Sequence, residues 1–169
     1  CVAADFPEFR EAVLADVSQS KGQAFICGPL AKGLHNEPEK YQGEKHWRLK
    51  RLAEARRFHP LDFDLIIDGE TFLEIIQWAH RFSGLGYTTA SHTDDKPRFR
   101  AVFELDREVT REESIRLGAA IRQALETEIG AGRFALDKSV YQSEQPNYTP
   151  IRGAESYRFD GDPISVDAL

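Results

Sequence analysis

From residue 61 onward the apolar pattern changes period in one order: strand, helix, strand, strand, helix, strand. That order constrains the fold more than any other feature of the chain. Leu61, Phe63, Leu65 and Ile67 alternate with Asp62 and Asp64, which predicts a strand over 61–67. Thr71 and Glu74 read as a capping box, opening a helix carried by Phe72, Ile75, Ile76, Ala79 and Phe82 and ended by Gly84 and Gly86. A β-rich run over 87–92 and a turn at 94–97 follow. Next comes a strand over 98–105, with Phe99, Ala101, Phe103 and Leu105 on one face and Arg98, Arg100, Val102 and Glu104 on the other. Thr110 and Glu113 cap a second helix that runs through Leu117, Ile121, Ala124 and Leu125 to Gly130, and a short strand over 134–137 closes the series. The expectation is an α+β fold of the ferredoxin-like βαββαβ type. In it the first and third strands are the central pair and the fourth borders the first.

The chain reads as a single domain over 1–169, with an N-terminal extension over 1–60 and the βαββαβ core over 61–160. In the extension, Asp5, Pro7 and Glu8 form a helix start ahead of Phe9, Val13 and Val17, and 24–27 is a short strand candidate. A chain that begins with Cys and contains no Met looks like a piece of a longer protein.

The chemistry concentrates on the acidic strand. Asp62 and Asp64 point the same way and repel each other unless a cation lies between them, and a hard divalent cation suits oxygen ligands. The expected topology sets them beside Arg98 and Arg100, with Asp137 on the other flank. Three carboxylates and two arginines then share an open sheet face, while the helices cover the face carrying Phe63 and Phe99. The bland alternative is a solvated strand face with surface cross-strand pairs.

A net charge of −6 argues against a strong sequence-independent grip on nucleic acid. The segment from Lys32 to Arg57 runs against that balance. It carries Lys32, Lys40, Lys45, Arg48, Lys50, Arg51, Arg56 and Arg57 against Glu37, Glu39, Glu44 and Glu54, with Tyr41 and Trp47 interleaved, as either a solvated helix face or a phosphate contact. Arg56 and Arg57 are the DNA-binding candidates. Cys1 and Cys27 are too few for a disulfide framework, which fits a cytoplasmic setting, and no apolar run suits a membrane span.

The motifs in order resemble the archaeo-eukaryotic primase superfamily, in particular the primase-polymerase domains of plasmid, phage and mobile-element replication proteins. The matching residues are Leu61-Asp62-Phe63-Asp64, then Tyr87 to Thr93 continuing into Lys96-Pro97-Arg98-Phe99-Arg100, then Asp137 to Tyr141, and Tyr157 to Gly161. The resemblance spans roughly residues 58–167. It implies a metal-dependent nucleotidyltransferase, a DNA primase or polymerase, that joins nucleoside triphosphates on a single-stranded DNA template, with a helicase as the common companion in the parent protein. Asp62, Asp64 and Asp137 then hold Mg²⁺ or Mn²⁺, and Ser91, His92, Lys96, Arg98 and Arg100 bind the nucleotide.

Two departures leave choices open. Asp68 is a second acid close to the first motif, and either His92 or Arg100 is the main triphosphate ligand. Two rival readings share the fold class. One is a non-catalytic RNA-recognition-like module that stacks bases on its sheet. The other is a rolling-circle initiator nuclease, for which Tyr141, Tyr148 and Tyr157 are available but no His-x-His pair exists.

Overall fold

The computed structural model describes residues 5–17 and 23–168. Cys1 lies outside them. The N-terminal helix α1 (Phe6–Ala15) starts where expected, with the Asp5 carboxylate accepting from the backbone N–H of Glu8 at 2.9 Å. The core elements then run β2 (Arg56–Ile66), α2 (Gly69–Ala79), β3 (Ser83–Thr88), β4 (Phe99–Val109), α3 (Arg111–Ile129) and β5 (Phe134–Leu136). Two short strands, β1 (Ala24–Phe25) and β6 (Asn147–Tyr148), pair as an antiparallel ribbon, and β7 (Ser156–Asp160) comes last.

The main sheet has five strands in the order β5-β2-β4-β3-β7. Its first four positions are the βαββαβ arrangement predicted from the element order, with β2 and β4 as the central pair. The 157–161 tail adds β7 as an edge strand against β3, with Leu85 opposite Arg158.

One sheet face carries Leu61, Phe63, Phe99, Ala101, Phe103 and Leu105, all buried beneath α2 and α3 with Ile75, Leu117, Ile121 and Leu125. This apolar burial is the largest favourable term in the fold, at about 1.5–3 kcal/mol for each side chain of this size. Thr110 and Glu113 form the expected reciprocal capping box at the start of α3.

Several local expectations are corrected. The cap of α2 is Asp68, whose carboxylate accepts from the Thr71 N–H at 2.8 Å, because the helix begins three residues earlier than a Thr71 cap would allow. Gly84 and Gly86 do not end α2. They lie inside β3, where a Cβ on Gly84 would stand 2.7 Å from Phe103 and one on Gly86 would overlap Phe99. Bare backbone there lets two core phenylalanines lie flat on the strand. Residues 89–92 form a turn instead of extending the strand.

Alternation along β2 also breaks. The register against β5 shifts between Phe63 and Leu65, so Ile66 enters the core while Leu65 and Ile67 are 52% and 48% exposed. β5 pairs only with the stretch from Phe63 to Ile66. Pro60, which has no N–H to give a second neighbour, sits where β2 has a strand on one side only.

The second face of the sheet is not open along its length. Phe6, Phe9 and Val13 of α1 pack on Leu85, Tyr87, Val102 and Cys27, and Phe9 stacks on Phe58 with ring centroids 4.6 Å apart. The β1–β6 ribbon covers the adjoining stretch: the backbone oxygen of Tyr148 accepts from the Tyr87 hydroxyl at 2.6 Å and from Arg100 Nη1 at 3.3 Å. Among the described residues no helix is long and apolar enough to cross a membrane.

Candidate functional site

The acids lie at one end of the β2–β4 pair, where the surface opens to solvent only from Asp64 onward. Asp62 and Arg100 are register partners, and Arg100 Nη2 donates to the Asp62 carboxylate in a nearly buried ion pair. Nearer solvent, beyond the Phe63–Phe99 pair, Arg98 Nη1 donates to Asp64 Oδ1 at 3.4 Å, with both side chains about half exposed. The backbone N–H of Asp137 donates to the backbone oxygen of Asp62 at 2.9 Å, which fixes the start of the third motif against the first. Direct contacts thus bring Asp62, Asp64, Arg98 and Arg100 together, whereas Asp137 meets them through its backbone and not through its carboxylate.

The carboxylates differ in state. Burial pushes the Asp62 carboxyl above its ordinary range, Arg100 pulls it back by charge and hydrogen bond, and the nearby charges of Asp64 and Asp137 push it up again. Arg100 is held above its usual value by Asp62 and Tyr87 in spite of its own burial, so the guanidinium stays cationic. The Asp137 carboxylate is turned to its own loop. It accepts from the Ser139 backbone N–H at 2.8 Å and from the Ser139 hydroxyl at 2.7 Å, capping the 3-10 turn Lys138–Tyr141. Asp68 is likewise committed to α2: its bonds with Thr71 hold its carboxyl below the ordinary range.

The turn after β3 carries the remaining nucleotide-binding candidates. His92 Nδ1 accepts from the Arg98 backbone N–H at 3.1 Å, which leaves the ring proton on Nε2 as a donor, and the ring rests against Phe72 with centroids 5.9 Å apart. Ser91 and Lys96 are exposed on the same turn, and Lys96 closes it through paired backbone bonds with Thr93 at 3.0 and 3.2 Å.

Arg56 is a correction. It is 1% exposed and cannot meet DNA in this fold. Its guanidinium donates to the backbone oxygens of Tyr141 at 2.9 Å and Val140 at 3.4 Å, to the Ser114 hydroxyl, and toward His59 Nδ1 at 3.3 Å, tying β2 to α3 and the third motif. Arg57 faces solvent and lies 3.9 Å from Glu104. Opposite alternation of two adjacent strand residues explains the split, and the sequence alone gave no sign of which one was buried. Sequence reasoning also missed Tyr87 and the Tyr148 backbone, because the ribbon that joins them to Arg100 pairs segments over a hundred residues apart. Cys27, beneath that ribbon, is buried and its thiol is pushed up to about 12, so it is an unreactive packing group.

The donor chemistry suits a hard cation. Among the described residues no group of three or more His, Cys, Asp or Glu side chains forms a ready-made cage. Mg²⁺, however, is commonly held by one or two carboxylates together with substrate phosphates. Asp62 and Asp64 fit that mode, with cationic side chains on the neighbouring strand to meet a polyphosphate.

No curated protein and no solved structure matches the chain significantly. The family described as the VapE N-terminal domain matches residues 43–162, from the basic segment through β7. The chain belongs to the VapE N-terminal domain family, which links it to VapE-like replication proteins of phages and plasmids.

Proposed function

We propose that this domain is a metal-dependent nucleotidyltransferase of the primase-polymerase kind, which extends or starts a nucleic-acid strand on a single-stranded DNA template. The observation that carries the reading is the two acid–arginine pairs at one end of the central strands, Asp62 with Arg100 as register partners and Asp64 with Arg98 just ahead of β4. Phosphoryl chemistry calls for cation-holding carboxylates close to phosphate-holding cations, and side-by-side acids and arginines support that reading.

Asp62 and Asp64 would hold Mg²⁺ or Mn²⁺, with Asp137 joining if its Ser139 bonds yield; the ion supplies Lewis acidity at the phosphate and lowers the pKa of the attacking hydroxyl. Arg98, Lys96 and the Nε2–H of His92 would take the β- and γ-phosphates through charge-assisted hydrogen bonds. Ser91 lies on the same turn as a further hydroxyl donor. Arg100, already engaged by Asp62 and the Tyr148 carbonyl, orients the Asp62 carboxylate and would contribute positive charge beneath the site without leaving its partners. Little covalent work is required of the protein beyond positioning and charge.

A second reading has its own support. Both acids are already paired with arginine, and an exposed basic segment with clustered aromatics lies elsewhere on the domain, as a non-catalytic nucleic-acid-binding module would have. Incorporation of labelled nucleotides on a primed single-stranded template, in Mg²⁺ or Mn²⁺, separates the two. The transferase reading expects product from the wild type and a loss of about 10-fold or more in Arg98→Ala, since a charge-assisted phosphate contact is worth roughly 1.5–3 kcal/mol. No product with either metal, together with tight strand binding, favours the binding module.

A further inference from the structure

The segment between β1 and β2 contains a side-chain cluster that the acidic face does not use. Gly33 and Lys45 form an antiparallel bridge with two backbone hydrogen bonds of 3.0 Å, and the intervening loop is closed on itself. Three rings gather on this loop. His35 lies 4.2 Å from Tyr41 and 5.1 Å from Trp47 between ring centroids, and Tyr41 and Trp47 are 5.6 Å apart. All three are half-buried, in a part of the chain with little apolar core beneath it. Trp47 Nε1 donates to the Gly43 oxygen at 3.3 Å and His35 Nδ1 accepts from the Glu37 N–H at 3.1 Å, which ties two of the three rings to the loop backbone.

Charges of both signs border them: Glu37, Glu39 and Glu44 are exposed on the same loop, with Lys40 4.0 Å from Glu37, and the cations lie against the rings themselves. The Lys40 ammonium stands over the Tyr41 ring at 5.0 Å and the Lys45 ammonium over the Trp47 ring at 5.3 Å, while Arg48 is exposed beside them. Lys32, Lys50 and Arg51 extend the positive surface, in a chain whose net charge is −6. An exposed ammonium over a ring is a weak contact, and a lysine stem swings aside at little cost. A nucleobase stacked on the same ring is the stronger contact, and the displaced ammonium can then meet the flanking phosphate.

We propose that the His35–Tyr41–Trp47 cluster is a base-stacking platform for single-stranded nucleic acid, with Lys40, Lys45 and Arg48 holding the backbone. The platform is separate from the Asp62–Asp64 site and requires neither metal nor nucleotide. It moves the strand contact from Arg56, which is buried, to the exposed loop before it. Single strands are selected over duplex because only unpaired bases offer a free face.

The test is a titration of the 169-residue chain with oligo(dT) at low salt and without divalent cation, read by anisotropy of a labelled strand and by tryptophan fluorescence. Trp78, the other tryptophan, is 5% exposed in the core, so quenching reports on Trp47. The proposal expects quenching on binding. It expects Trp47→Ala to weaken binding on the order of 10-fold, Trp47→Phe to keep most of the affinity but lose the quench, and the double variant Lys40→Glu/Lys45→Glu to weaken binding and flatten its salt dependence. A thermal melt of Trp47→Ala distinguishes a lost contact from a lost fold, and Trp47→Phe and the lysine variant keep the test decisive if Trp47→Ala unfolds. Wild-type affinity in the Trp47→Ala and lysine variants, binding without quenching, or equal competition by duplex of the same length would overturn it. Because no metal is present, none of these failures bears on nucleotidyl transfer.

Discussion

Asp62 and Arg100 face each other as register partners on the central strands, and their ion pair is almost closed to water, with side chains 9% and 10% exposed. The pair beyond the Phe63–Phe99 rung, Asp64 with Arg98, is open, with side chains 54% and 41% exposed. Two acids two residues apart therefore have opposite energetic roles. Asp62→Asn leaves Arg100 buried without its counter-charge and is expected to destabilise the domain by about 1–3 kcal/mol. Asp64→Asn is expected to change stability by less than about 1 kcal/mol, as for an exposed pair. Urea unfolding of the two variants checks the difference; equal midpoints would contradict the buried-pair account.

Arg56 and Arg57 make a second contrast. Arg56 supports Val140, Tyr141, Ser114 and His59 from inside the fold, so Arg56→Ala strips partners from several buried groups and is expected to cost about 3 kcal/mol or more. Arg57→Ala is expected to cost under about 1 kcal/mol. Thermal melts measure both. A mild Arg56→Ala phenotype would mean that the buried network carries little of the stability.

His59 gives the domain a pH dependence. The ring is fully buried, and desolvation, reinforced by the Arg56 charge, holds its pKa well below 6.5. A base with a depressed folded pKa is neutral in the fold while the unfolded chain takes up a proton. Stability from this source is therefore complete above the unfolded value and is lost as pH falls below 6.5 toward the folded pKa. Chemical denaturation between about pH 7 and pH 5 should show wild-type stability falling with pH, and His59→Asn should flatten that slope even if its overall stability is lower. Parallel slopes in the two proteins would assign the acid sensitivity elsewhere.

Much of this architecture is legible in the amino-acid sequence. The β4 alternation of Phe99, Ala101, Phe103 and Leu105 against Arg98, Arg100 and Val102 is strictly two-fold, and the structure follows it. The element order then set β2 beside β4, which brought Asp62 to Arg100. Local pattern failed where tertiary contact decides. Leu65 and Ile67 left the core because a register shift follows Phe63, and Gly84 and Gly86, which resemble helix stops, are strand residues selected by the rings above them. The covering of the second sheet face was not legible either. It depends on α1 packing and on a two-residue ribbon pairing Ala24 with Tyr148, a contact too short and too distant in sequence to leave a periodic trace.

The central claim is that Asp62 and Asp64 together hold a divalent cation that brings a triphosphate to Arg98 and Lys96. The most direct measurement is anomalous diffraction from crystals grown with Mn²⁺ and a non-hydrolysable nucleoside triphosphate. The account predicts a manganese peak shared by the Asp62 and Asp64 carboxylates, with the β- and γ-phosphates against Arg98, Lys96 and His92, and predicts that the peak vanishes in Asp64→Asn crystals. A nucleotide bound elsewhere with the Asp62–Arg100 and Asp64–Arg98 pairs intact and no manganese between the two acids would contradict it.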